Sequence, residues 1–252
     1  MITVAATFVL VLGRVGALLS VLPVFSMVGV PRWVTAFAAM AVSALLTTTL
    51  PPPDLPEELH RVAVALGGEV LFGMFLGLGV AAAFAALALG AEIMSAQMGL
   101  SFATLFDPLT RSTESVLGSF ASWMAALVFV ATGLDGRCLE IVAASFERVP
   151  PGAAALPGGS AELAMNAAGQ CLVLGVQLSG PVVAMVFLVH LFVAILSKLA
   201  PRMHAFFSVG TTATGAVGVT MLMVSLPWVM SAHAGALVDA VAMVARAVAA
   251  GR

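Results

Sequence analysis

Six apolar runs, near residues 4–22, 33–50, 62–89, 116–132, 169–196 and 206–230, constrain this fold more than any other feature of the chain. About 20 apolar residues in an α-helix cross roughly 30 Å of hydrocarbon, and stretches of that length can be buried only in lipid or against sister helices. Hydrophobic residues make up 62% and charged residues 9% of the 252, so too few polar side chains remain to cover a soluble globule. Runs such as Ala81–Leu89 are apolar on every face, without the alternation of a β-barrel strand. The predicted class is therefore all-α: a polytopic helical membrane protein with about six long hydrophobic helices, read as a single domain over residues 1–252.

Charges inside the runs come next. Arg14 stands in the middle of the first run and Glu69 inside the third. An arginine at the bilayer centre costs about 3 kcal/mol on insertion scales, while each surrounding Leu, Val or Phe favours insertion by about 0.3–0.6 kcal/mol. Insertion wins, but a charge kept at that depth needs a partner and marks a face turned to protein or water. Each is expensive alone, so Arg14 and Glu69 are expected to pair across two neighbouring helices. The third run also carries Gly73-Met74-Phe75-Leu76-Gly77, a small-xxx-small spacing that lets helix backbones approach closely. In the fifth run, Pro181 predicts a kink, because its ring removes one ladder hydrogen bond. His190 on the same run lacks a second titratable group at helical spacing, so a helix–helix hydrogen bond suits it better than a proton relay.

Several classes of chemistry are not expected. A net charge of -2 offers no basic patch for nucleic acid. Cys138 and Cys171 have neither CxxC spacing nor a matching His/Asp cluster, and His60, His190, His204 and His233 sit at no metal-ligand spacing, so no metal is expected. Phosphate-binding, zinc-protease, nucleophile-elbow and dinucleotide fingerprints do not occur, so neither an enzyme nor a cofactor is indicated. The first apolar run has no positive segment before it and holds Arg14 at its centre, unlike a cleaved signal peptide.

Between the third and fourth runs lies Gln97-Met98-Gly99-Leu100-Ser101-Phe102-Ala103-Thr104-Leu105-Phe106-Asp107-Pro108. It is too short and polar to span a bilayer and too apolar for an ordinary solvated loop. Met94, Met98 and Phe102 recur at i, i+4, i+8, giving one apolar stripe that Leu105 and Phe106 extend, with Glu92, Ser95 and Gly99 on other faces. Gly99 loosens that helix, and Asp107-Pro108 reads as an N-cap followed by proline in the next first turn. Pattern alone allows a short interfacial connector or a re-entrant, pore-lining loop. Further along, Leu139–Phe146 reads as a short amphipathic helix, residues 150–159 as a connector with little reason to be ordered, and Leu237–Ala249 as a terminal amphipathic helix.

The string Gln97–Ala103 followed by Asp107-Pro108 resembles the central signature of the FliR family, the R subunit of the flagellar type III export gate, whose injectisome counterpart is the SctT/SpaR family. Other positions agree in order: Arg14, Ala17-Leu18, Pro23 and Pro31-Arg32; Ser145-Phe146 with Val149-Pro150 and Gly152; Ala200-Pro201, then Phe206 and Gly210. The chain departs from the family where Asp135-Gly136-Arg137 replaces Asn-Gly-His, Lys198 replaces an arginine, and Thr211-Thr212 stand where Phe-Pro is common.

This resemblance implies a subunit of the bacterial inner membrane and flagellar basal body. It would assemble with the P and Q subunits, and with the B subunit, into a pore for unfolded flagellar export substrates. Residues Gln97–Pro108 would then supply a gating plug, with Met98, Phe102, Leu105 and Phe106 as a deformable apolar seal. The alternatives are an injectisome gate subunit, or a small-solute secondary transporter with a midplane site drawn from Arg14, Glu69, Gln177 and His190.

Overall fold

The computed structural model describes residues 2–26, 30–50, 59–101, 115–156, 158–199 and 205–250, and among them the only regular structure is helix. In chain order the helices are α1 (Ile2–Val21), α2 (Pro23–Ser26), α3 (Arg32–Thr49), α4 (Leu59–Gln97), α5 (Val116–Ala131), α6 (Leu134–Arg148), α7 (Ser160–Leu199) and α8 (Ala205–Ala250).

Among the described residues, four helical stretches are long and apolar enough to cross a membrane: Val4–Val21, His60–Gln97, Ser160–Leu199 and Thr212–Ala249. The bent pair α5 and α6, which turn by 66° at their junction, makes a fifth if counted as one span. The second apolar run falls short. In α3 the apolar content is diluted by Arg32, Thr35, Ser43 and the terminal threonines, whose hydroxyls donate back to the carbonyls of Ser43, Leu45 and Leu46 at 2.6–2.9 Å.

Three other boundaries differ from the sequence reading. The third run does not end near residue 89 but continues to Gln97, so α4 has 39 residues and a length of about 58 Å. Helix α8 runs through Pro227 to absorb the expected separate helix at 237–249, while Pro181 lies inside α7, as the run 169–196 places it. Helix α6 begins at Leu134 rather than Leu139, directly after Gly133, whose φ of 68° is a left-handed value that suits a residue without a Cβ.

The chain forms two compact units. The first comprises Met1–Ala83, Phe129–Gly169 and Ala236–Arg252. Within it α1 packs on α3 and along the first part of α4. A Cβ on Gly73 would meet the Arg14 carbonyl, and one on Gly77 would lie 2.9 Å from Val21 Cγ1, so these glycines allow the two backbones to touch. Helix α6 lays down Leu134, Cys138, Val142, Ser145 and Phe146, its one buried stripe. Leu237, Val241, Val244 and Val248 at the end of α8 are buried at the same spacing.

The second unit comprises Phe84–Val128 and Gln170–Gly235. Here α4 and α7 cross where a Cβ on Gly90 would lie 2.9 Å from the Gly175 carbonyl and one on Gly175 would lie 2.9 Å from the Ala86 carbonyl. Only small residues fit that crossing.

Candidate functional site

Two polar clusters stand out, one in each unit. In the first, Arg14 of α1 and Glu69 of α4 are fully buried, and Arg14 Nε donates to Glu69 Oε2 at 2.6 Å. The remaining guanidinium nitrogens find neutral acceptors. Nη1 donates to Ser145 Oγ at 2.9 Å and Nη2 to the Val149 carbonyl at 3.1 Å, while the Ser145 hydroxyl donates to the Val142 carbonyl at 2.7 Å. The guanidinium carbon lies 4.0 Å from the Phe146 ring centroid and 4.8 Å from that of Phe72, so aromatic faces cover the charge. Glu69 Oε1 accepts from the Gly152 backbone N–H at 2.8 Å.

Gly152, within the connector 150–159 expected to have little order, is thus built into the cluster together with Val149 just before it. Gly152 has φ 89°, and a Cβ on Gly68 would meet the Ala154 carbonyl, so glycine permits both the turn and its close approach to α4. Buried ion pairs persist when their members are hydrogen-bonded further, and here each guanidinium nitrogen and each carboxylate oxygen has a partner. It joins α1, α4, α6 and the turn after α6 into one fixed body.

The second cluster surrounds the end of α4. Leu100 N–H donates to the Ser95 carbonyl at 3.0 Å and Gly99 N–H to the Ala96 carbonyl at 3.2 Å, a Schellman motif with Gly99 at φ 77°. The helical stripe through Met94, Met98 and Phe102 is therefore cut at Gln97: Gly99 ends the helix rather than loosening it. Met94 and Met98 are buried. Met98 lies against α8, where a Cβ on Gly218 would fall 2.8 Å from its Sδ. Leu100 is 41% exposed, and the Ser101 hydroxyl reaches Ser95 Oγ at 3.3 Å. Phe102, Leu105, Phe106, Asp107 and Pro108, the rest of the expected plug, lie outside the described residues.

Where the chain re-enters at Ser115, α5 is capped in an unusual way. Ser115 is the N-cap: its carbonyl accepts from Ser119 N–H at 2.9 Å, and its Oγ accepts from Gly118 N–H at 2.9 Å. Its own N–H and hydroxyl both donate to Glu92 Oε1 of α4, at 2.9 and 2.8 Å. In a capping box, the carboxylate three residues after the cap reaches back to the cap N–H. Here that position is Gly118 and the carboxylate comes from another helix; a Cβ on Gly118 would meet Glu92 Oε1.

Sequence reasoning left Glu92 on a polar face and did not connect it with Ser115. It also passed over His233, which is fully buried, meets Phe84 edge to face at 6.1 Å, and makes no hydrogen bond from either ring nitrogen among the described residues. His190 is exposed on α7, and the helix–helix hydrogen bond expected for it is not formed among the described residues. Of the four residues a solute site would need, Arg14 and Glu69 are engaged with each other, whereas Gln177 and His190 are exposed.

Residues 5–240 match the family described as Bacterial export proteins, family 1. Among individual relatives, the chain is 30% identical over 215 residues to the flagellar biosynthetic protein FliR of Escherichia coli K12, covering 85% of this chain and 82% of that one. It is 29% identical to FliR of Bacillus subtilis 168, with 87% and 85% covered, and 27% identical to FliR of Caulobacter vibrioides, with 86% and 87% covered.

Proposed function

The chain belongs to family 1 of the bacterial export proteins, together with the flagellar biosynthetic FliR proteins, and from that premise we propose that it is a subunit of the flagellar type III export gate whose central segment helps close the pore. It is a membrane-embedded flagellar export protein; the finer reading places it in the inner membrane at the basal body, beside P and Q subunits and the B subunit, with unfolded flagellar proteins passing through the shared conduit. Residues 1–252 act in this reading as one export-gate domain.

The observation that carries the proposal is how α4 ends. A helix of 39 residues closes in a glycine-stabilised turn, and Ser115, the next described residue after Ser101, is held to the same end of that helix. A closed export pore must stop ions yet admit a polypeptide. In this reading Phe102, Leu105 and Phe106 supply a deformable apolar seal, and Met98, fitted against Gly218, stands just before them in the chain. Helix lengths support a core that extends beyond lipid: α7 and α8 have 40 and 46 residues, about 60 and 69 Å against roughly 30 Å of hydrocarbon.

Deleting residues 99–106 in cells that carry the whole gate tests the reading. The expected result is a raised ion conductance of the inner membrane, with the subunit still recovered in complex with its partners. A membrane that remains tight would remove the plug role.

A further inference from the structure

We infer that the cleft between α4, the start of α7 and the end of α8 binds one phospholipid, with an acyl chain in the cleft and a zwitterionic headgroup bearing a free ammonium held by Glu162 and Arg246. The inference uses residues of the first unit alone and does not depend on the gate reading.

The cleft encloses about 330 Å³, its open mouth included. Each wall contributes residues about one turn apart: Phe75 and Leu78 from α4, Leu163 and Ala167 from α7, Met243 and Ala247 from α8. No lining residue is polar. The floor is tight, because a Cβ on Gly79 would fall 3.3 Å from Val244 Cγ2. Three apolar walls offer nothing to a polar solute, and all three belong to helices long enough to cross a membrane. A hydrocarbon chain suits such a slot, since it needs no hydrogen-bond partner and gains dispersion contacts on three sides.

The rim decides which lipid fits. Glu162 directly precedes Leu163 and Arg246 directly precedes Ala247, so each charge stands beside a lining residue. Both are exposed, and neither forms a salt bridge among the described residues. Helices also end here: α7 starts at Ser160, and α6 stops at Arg148, whose Nη1 donates to the Ala249 carbonyl near the end of α8 at 2.9 Å. A lipid chain in the cleft therefore has its headgroup at the polar ends of these helices. A guanidinium binds phosphate through paired N–H groups, and a carboxylate takes N–H donors from an ammonium. Together the two charges complement a phosphate followed by a primary ammonium. A headgroup of net negative charge would be repelled by Glu162, and a quaternary ammonium has no N–H to donate. An ethanolamine headgroup meets both requirements.

The full chain, purified from membranes in detergent with the subunits that accompany it, provides the test. Native mass spectrometry reads which lipid stays bound, and thermal shifts with added phosphatidylethanolamine, phosphatidylcholine and phosphatidylglycerol of identical acyl chains read the preference. One retained phosphatidylethanolamine per chain, and a rise in Tm with that lipid alone, are expected. Arg246→Gln should weaken its retention about fivefold, the contribution of one cation near a lipid surface. Glu162→Lys should turn the preference to phosphatidylglycerol. Ala167→Leu, which fills the cleft and leaves both charges in place, should release the lipid; if that crowded variant fails to fold, the exposed Glu162 variant decides alone. Equal retention of the three lipids, or a preference unmoved by Glu162→Lys, would overturn the inference. So would a photo-crosslinking amino acid at position 243 that captures an accompanying subunit instead of lipid, because a protein helix would then occupy the cleft.

Discussion

The Arg14 cluster and the Glu92 cluster both hold helices together through a buried or half-buried carboxylate, but they are built for different loads. Glu69 faces a cation, both of its oxygens are engaged, and the charge is sealed between two aromatic rings. Among the described residues, Glu92 meets two neutral donors, both on Ser115, through one of its oxygens. Removing one member of a buried, satisfied ion pair strands a charge and costs about 3–5 kcal/mol, whereas losing an N-cap costs about 1 kcal/mol. The first arrangement is a frame; the second is a fastening that can be loosened without unfolding its surroundings.

Breaking the frame should give the largest effect. Glu69→Ala or Arg14→Ala is expected to destabilise the purified gate complex by about 3–5 kcal/mol in denaturant titrations in detergent. Replacing both with methionine should recover most of that loss, because the penalty comes from the stranded partner. Single variants as stable as the parent would deny the cluster its framing role.

Steric intrusion ranks next. Gly73→Ala places a Cβ against the Arg14 backbone carbonyl, while Gly77→Ala meets the Val21 side chain. Overpacking costs about 1–3 kcal/mol, with Gly73 toward the upper end because backbone yields less readily than a side chain. Equal stabilities for the two variants would contradict the close crossing of α1 and α4.

On the other side of the comparison, Ser115→Ala should cost about 1 kcal/mol, read as faster amide hydrogen exchange confined to the start of α5. Protection lost throughout the second unit would make the fastening a frame after all. The smallest effect is expected at His190, where alanine at an exposed position should shift stability of the isolated chain by less than about 0.5 kcal/mol.

What the sequence reveals follows the same division. The Arg14–Glu69 pair is legible because two charges isolated in apolar runs have few other ways to be neutralised, and Gly73 and Gly77 are legible because close backbone approach requires small residues at that spacing. That Ser145, Val149 and Gly152 complete the pair is legible only as a motif, since sequence spacing says nothing about a contact spanning 131 or 135 residues. Glu92 is hidden for another reason: the capping-box signal is read locally, and here its two halves sit 23 residues apart on different helices. Helix ends differ where polar residues continue a helix, as from Leu89 to Gln97, and after residue 230, where α8 continues through the expected separate helix at 237–249.

The central claim is that the middle segment lies on the path of the exported chain. A photo-crosslinking amino acid at position 102, in a gate holding an export substrate stalled in transit, tests it most directly. Adducts with the stalled polypeptide, lost when no substrate is engaged, are the expected result. Adducts confined to lipid under both conditions would contradict it.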